Sequence, residues 1–166
     1  LLHRTAEERL DPLREPLGSS ISKSGDTVVY CTNMGVVAGL DASNGWPRWI
    51  RKYRQYPIEP TRDPYNPQRL GFGWANNPPL TDDGVVYVTP MDSPYLYAID
   101  LATGEERWKQ EVNPNVGEWA ASENTYRWLL GLRGGTLFLQ GNDLMTLDLT
   151  KQGKRKWPLP KALKAA

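Results

Sequence analysis

Ala98-Ile99-Asp100-Leu101-Ala102-Thr103-Gly104-Glu105-Glu106-Arg107-Trp108 reads as strand, tight turn, strand. The run Tyr95 to Ile99 is short, aromatic and β-branched, as suits a half-buried strand. Asp100 to Gly104 then supplies turn chemistry, because Asp and Thr side chains bond nearby backbone N–H groups and Gly accepts positive φ without a steric penalty. Trp108 follows between Arg107 and Lys109, so the ring points one way and the charges the other. The same text stands upstream as Ala38-Gly39-Leu40-Asp41-Ala42-Ser43-Asn44-Gly45-Trp46-Pro47-Arg48-Trp49. It stands again downstream, from Met145-Thr146-Leu147-Asp148 through Gly153 to Lys156-Trp157. Asp to Trp is eight residues in the first two copies and nine in the third. Three copies of one strand–turn–strand unit define a repeat protein.

Worked outward from that motif, the chain divides into three units and their connections. Residues 1–17 form a lead-in segment, helical or irregular, with a capping-box pattern at Thr5–Glu8 and prolines at 12 and 16 that cut a helix short. Unit 1 runs from 18 to 53, unit 2 from 77 to 112 and unit 3 from 126 to 159, each holding four short strand candidates separated by turns. A tail covers 160–166. The connection 54–76 is too proline-rich for a regular ladder, and 113–125 is a second insertion around Trp119. Both Trp-to-Trp intervals exceed the ~40–45 residues of a minimal propeller blade, and these insertions hold the excess. Four antiparallel strands joined by short turns, repeated, make β-propeller blades. The predicted fold is therefore all-β: three four-stranded antiparallel blades, an arc of a propeller. In such packing the Trp of the outermost strand can lie against the neighbouring blade, with the Asp–Gly turn setting its register.

The text of unit 2, Val86-Tyr87-Val88-Thr89 followed by Leu96-Tyr97-Ala98-Ile99-Asp100-Leu101-Ala102-Thr103-Gly104-Glu105-Glu106-Arg107-Trp108, resembles the pyrroloquinoline-quinone (PQQ)-type β-propeller repeat, also seen in quinoprotein alcohol dehydrogenases. The likeness covers about 18–159. Copy 1 departs from it with Asn44-Gly45 and Pro47, and copy 3 with the longer Thr150-Lys151-Gln152-Gly153. Divergent repeats with long insertions are most similar to large bacterial PQQ-like propeller proteins, including those of planctomycetes. They are more distantly similar to the propeller lipoprotein of outer-membrane protein assembly. The blade motif on this reading comprises Asp41, Gly45, Trp49, Asp100, Thr103, Gly104, Trp108, Asp148, Gly153 and Trp157. A periplasmic or envelope location is implied by the resemblance alone.

For function the chain offers two classes. A quinoprotein dehydrogenase, as the resemblance implies, needs PQQ at the propeller axis, calcium or a lanthanide, an Asp base and often a disulfide of adjacent cysteines. This chain has one cysteine, Cys31, and its Asp residues sit mostly in turns where local hydrogen bonding accounts for them. No carboxylate cluster has calcium-ligand spacing. Neither Gly-x-Ser-x-Gly nor a phosphate-binding Gly-rich loop is present. His3, the one histidine, has no ligand partners in sequence. We therefore expect a non-catalytic segment without catalytic, cofactor-binding or metal residues, acting as a protein-binding scaffold within a larger chain or assembly; a dehydrogenase fragment is the alternative.

Candidate partner-binding positions are Tyr56, Arg62, Tyr65, Arg69, Trp74 and Trp119, which carry the Tyr/Trp/Arg character of interface hot spots. A flap packed over a sheet edge would use the same residue types, and exposed Trp74 and Trp119 would also suit carbohydrate. Charge is near balance at +1, so nothing demands nucleic acid. The basic runs 48–54 and 151–156 fit the solvated face of outer strands. No apolar run reaches the ~20 residues that span a bilayer. The chain opens Leu1-Leu2-His3 without Met and is expected to belong to a longer polypeptide. Three blades leave two faces open, so closure against remaining blades of a parent chain, another subunit or a copy of itself is expected.

Overall fold

The computed structural model describes residues 20–55, 74–112, 126–141 and 143–158. The lead-in, most of the first inter-blade insertion, all of the second and the tail lie outside them, as do His3, Tyr56, Arg62, Tyr65, Arg69 and Trp119. The described chain contains twelve strands in three four-stranded sheets, each laid down in sequence order. The first blade holds β1 (Ile21–Ser24), β2 (Thr27–Cys31), β3 (Val36–Asp41) and β4 (Pro47–Lys52). The second holds β5 (Leu80–Asp82), β6 (Val85–Val88), β7 (Tyr95–Asp100) and β8 (Glu106–Glu111). The third holds β9 (Trp128–Arg133), β10 (Thr136–Gln140), β11 (Leu144–Asp148) and β12 (Lys154–Pro158), with a 3-10 turn at Leu149–Lys151 before the last.

All pairings are antiparallel. This follows from the short turns, since connections of two to six residues return the chain beside itself. The third and fourth strands of every blade share one irregularity. The register breaks between Gly39 and Leu40, between Ala98 and Ile99, and between Thr146 and Leu147. Each break falls just before the tryptophan, so Arg48, Arg107 and Lys156 are the unpaired residues of three equivalent bulges. A bulge bends and twists its strand and re-aims a side chain.

The core is two seams between three sheets. Val29, Cys31, Val37 and Trp49 of blade 1 meet Val86, Val88, Tyr97 and Ile99 of blade 2. The opposite face of blade 2, with Val85, Tyr87, Leu96 and Ala98, meets Leu129, Leu137, Leu139, Met145 and Leu147 of blade 3. Blade 2 is thus buried on both faces, which is why Val85–Val88 is a continuous apolar run rather than an alternating one. Among the described residues, blades 1 and 3 each pack on a neighbouring blade by one face only. Antiparallel pairing puts residues of equal register on one side, so Ile21, Tyr30, Ala38 and Ile50 share the outward face of blade 1. Trp128, Gln140 and Leu144 share that of blade 3. Ile21, Ile50, Trp128 and Leu130 are exposed.

Candidate functional site

The decisive geometry is at the Asp–Gly turns and what lands on them. In each turn the Asp carbonyl accepts from the Gly N–H: Gly45 to Asp41 at 2.8 Å, Gly104 to Asp100 at 2.9 Å and Gly153 to Asp148 at 2.9 Å. The three glycines have φ of 76°, 75° and 74°, the left-handed region in which glycine is favoured. The extra residue of copy 3 is absorbed by the 3-10 turn and by left-handed Gln152, which leaves Gly153 in the same place. The Asp side chains hold the turns from inside. Asp100 Oδ1 accepts from the Ala102 and Thr103 amides at 2.9 Å, and Asp148 Oδ1 from the Thr150 amide at 3.0 Å. Asp41 Oδ1 does the same for Ser43.

The bulged arginines close these turns from outside. Arg48 donates Nε (3.1 Å) and Nη2 (2.6 Å) to Asp41 Oδ2, and Arg107 donates the same pair to Asp100 Oδ2 at 3.3 and 2.8 Å. Copy 3 uses Lys151, whose Nζ lies 3.9 Å from Asp148. The Arg107 guanidinium, then the Thr103 amide, bring the Asp100 carboxyl from the ordinary 3.8 down to about 2. Ser43 and then Arg48 hold Asp41 well below the carboxylate range. A depressed folded-state value stabilises the fold above the unfolded one and is lost on acidification. The Asp100 contribution is therefore full above about pH 4 and fades as pH falls through 2. A carboxyl NMR titration of Asp100 should show its midpoint near 2, and a midpoint near 4 would remove the ion pair from the turn.

Two tryptophans dock on the turn of the following blade. Trp49 lies over Gly104, where an added Cβ would sit 2.7 Å from its Cδ2 and Cε3, and its Nε1 donates to the Leu101 carbonyl at 2.8 Å. Its other face covers Gly39 of its own sheet, leaving no room there for a side chain. Trp108 lies over Gly153, where a Cβ would meet Cζ3 at 2.8 Å. Trp157 pairs with Thr146 at the register position that Trp49 and Trp108 hold opposite Gly39 and Ala98.

At the other end of the strands a polar network ties blade 1 to blade 2. Asp92, itself buried, accepts from the Tyr53 hydroxyl at 2.6 Å and the Gly35 amide at 3.0 Å. Asn33 accepts from the Met91 amide at 3.0 Å and from the Cys31 thiol at 3.7 Å. Asn77 does the same for blades 2 and 3. Its amide donates to Thr89 (3.0 Å) and the Arg127 carbonyl (2.9 Å), and its oxygen accepts from the Leu129 amide (3.1 Å). Burial, reinforced by Asp92, raises the Tyr53 hydroxyl far above an ordinary phenol. Burial also pushes the Cys31 thiol up to about 11. The thiolate is the reactive form, so the native protein should resist iodoacetamide at pH 8 and react only once unfolded. Stoichiometric alkylation of the folded chain would show that the seam is open.

Trp74 corrects an expectation. Its place beside a Pro/Gly-rich connection predicts an exposed binding aromatic, but it is 2% exposed and packs in the core between blades 2 and 3. The adjacent Ala75 amide bonds the Arg127 carbonyl at 2.9 Å, and the ring packs in the same core as Tyr126 and Leu129. The turn-closing Arg48 and Arg107 and the seam residues Asn77 and Asp92 were not anticipated. A signal existed for the first two, since a basic residue precedes the motif tryptophan in all three copies.

These observations define a β-propeller protein of PQQ-like repeats. A family model described as outer membrane protein assembly factor BamB matches residues 33–166, and the chain belongs to that family. Among solved structures it is similar to BamB from Moraxella catarrhalis, with TM-score 0.56 and 22% identity over 82% of this chain and 38% of that one. It is similar also to quinohemoprotein alcohol dehydrogenase from Comamonas testosteroni, with TM-score 0.51 and 20% identity over 84% of this chain and 20% of that one. A third is quinohemoprotein alcohol dehydrogenase ADHIIG from Pseudomonas putida HK5, at 0.53 and 20%, covering 82% and 19%. The chain thus spans well under half the length of each, and at these identities the likeness shows the fold. No curated protein matches the sequence.

Among the described residues no three His, Cys, Asp or Glu side chains come together to hold an ion. The single cysteine cannot form a disulfide within the chain, and the turn carboxylates are engaged as given above. Among the described residues no helix is long and apolar enough to cross a membrane.

Proposed function

We propose that this chain is a non-catalytic propeller segment that serves as a protein-binding scaffold within a larger chain or assembly. The observation that carries this is topological. The connections β4 to β5 and β8 to β9 depart from and return to the same end of the blades as the turns β2–β3, β6–β7 and β10–β11. All sequence in excess of a minimal blade between the first and third units is therefore delivered to one end, on a rigid body whose seams are locked beneath it. Long loops on a rigid scaffold are where binding concentrates. Met34, an exposed apolar side chain in the β2–β3 turn, stands at that end. The family description, an outer membrane protein assembly factor, and the envelope setting it names support a protein partner.

The test is site-specific photo-crosslinking in the source cell. Probes at Met34 and within 56–69 should capture a discrete protein, while probes at Ser43 and Ala102, in turns at the opposite end, should not. Equal labelling from both ends would defeat the reading. So would stoichiometric uptake of PQQ with calcium by the purified chain, which favours the dehydrogenase fragment.

A further inference from the structure

Among the described residues the exposed large apolar side chains are unequally placed. Ile21, Ile50, Trp128 and Leu130 lie in strands, and Trp46 stands beside the Asp–Gly turn of blade 1. Met34 alone sits in a turn at the end that carries the insertions, and it is 69% exposed. The backbone beneath it is over-determined. Asn33 and Gly35 on either side have φ of 54° and 79°, and a left-handed non-glycine residue persists only where its surroundings impose it. The Met34 amide donates to Thr32 Oγ1 at 3.1 Å and the Gly35 amide to Asp92 at 3.0 Å, while the Gly35 carbonyl accepts from the Tyr53 amide at 3.0 Å. The Asn33 side chain accepts from the Met91 amide at 3.0 Å and donates to Asn76 at 3.4 Å. These bonds fix the turn against blade 2, and none of them uses the thioether. The other two methionines are withdrawn: Met91 is half-buried and Met145 lies in the core between blades 2 and 3.

We propose that Met34 is a reversible oxidation site that controls partner contact at this end, a role that rests on the scaffold reading above. The co-substrate is a peroxide. The Met34 sulfur attacks one peroxide oxygen, the O–O bond breaks, and the sulfur keeps that oxygen as a sulfoxide while the other leaves as water or an alcohol. The thioether loses two electrons and the peroxide gains them. The reverse step is that of a methionine sulfoxide reductase, in which a dithiol becomes a disulfide and the oxygen leaves as water. Oxidation turns a flexible apolar side chain into a polar, chiral one. Because the turn is held by its backbone and by Asn33, the change is confined to the surface offered to the partner. An unbranched thioether on a pre-organised turn suits an apolar pocket of a protein. The sulfoxide carries a desolvation cost into the same pocket.

Two measurements test it. On the purified folded chain, peroxide treatment followed by peptide mass mapping should add one oxygen to Met34 at least about tenfold faster than to Met145, and ahead of Met91, with circular dichroism unchanged. Oxidation that begins at Met91 or Met145, or sheets that unfold as Met34 converts, would overturn the site. In extracts of the source cell, a photo-crosslinking probe at exposed Gln55, which lies beside Gly35, reads the contact. Its adduct should weaken by about tenfold after peroxide and return after incubation with the reductase. In Met34→Leu the ratio of treated to untreated adduct should be close to one. An adduct indifferent to conversion of Met34 would overturn the switch and leave the scaffold role standing. No adduct before or after treatment would defeat the scaffold role, and the switch with it.

Discussion

Trp49→Ala is expected to destabilise the chain by about 3–5 kcal/mol, the range for removing a buried aromatic side chain from a packed site. Three losses coincide. The indole is buried between Gly39 and Gly104, so its removal opens a slot that neither glycine can refill. The blade 1 to blade 2 seam loses its largest apolar member. The Leu101 carbonyl loses the Nε1 donor at 2.8 Å, which adds the cost of an unsatisfied acceptor unless water enters the slot. Urea unfolding at fixed protein concentration should show the midpoint shift. Met34→Ala, at an exposed turn position, should stay within about 0.5 kcal/mol of wild type. Equal midpoints for the two variants would mean that the indole does not hold the seam.

What could be read from the sequence was the part that is local. The Asp-to-Gly turns, the strands on either side and the tryptophan eight or nine residues on all depend on neighbours within one unit, and three copies reinforce each other. The docking of Trp49 and Trp108 on the next blade also follows from the repeat, because an outer-strand ring can bury against the neighbouring blade. The insertion of one residue in copy 3 is harmless for the same local reason: a 3-10 turn takes it up before Gly153.

What could not be read was the pairing across units. Tyr53 meets Asp92 and Asn77 meets Arg127 only after sheets are stacked in register. Nothing in the spacing of those residues encodes the stacking. Trp74 shows the same limit from the other side. Proline and glycine around it argue correctly for irregular backbone, but irregular backbone is not the same as exposure. Its burial comes from packing against residues such as Tyr126 and Leu129, more than fifty positions away in sequence. Cys31 fares better, since a lone cysteine in a β-branched strand is expected to be buried, and it is.

Gly104→Ala should cost more than the same substitution at an exposed turn glycine such as Gly84, and its cost should depend on Trp49. Two terms contribute. At φ 75° an L-residue pays about 1–2 kcal/mol for the left-handed conformation. The added methyl would also stand 2.7 Å from the Trp49 ring, a contact that rigid packing on the other side by Gly39 does not let the ring escape. Gly84 separates the terms, because its φ is 70° and nothing among the described residues lies within 4 Å of its Cβ position. Gly84→Ala should therefore show the backbone term alone. In the Trp49→Ala background the steric term vanishes, and Gly104→Ala should then fall to about the Gly84→Ala value. The double-mutant cycle should give a coupling of about 1–3 kcal/mol, as for residues in direct contact. Strict additivity would place the whole cost of Gly104→Ala in its backbone and would mean that the ring does not rest on the turn. A coupling of the expected sign ties the three elements into one device: the turn presents a bare backbone, the bulge aims the outer strand, and the indole bridges two sheets that share no hydrogen-bonded strand pair.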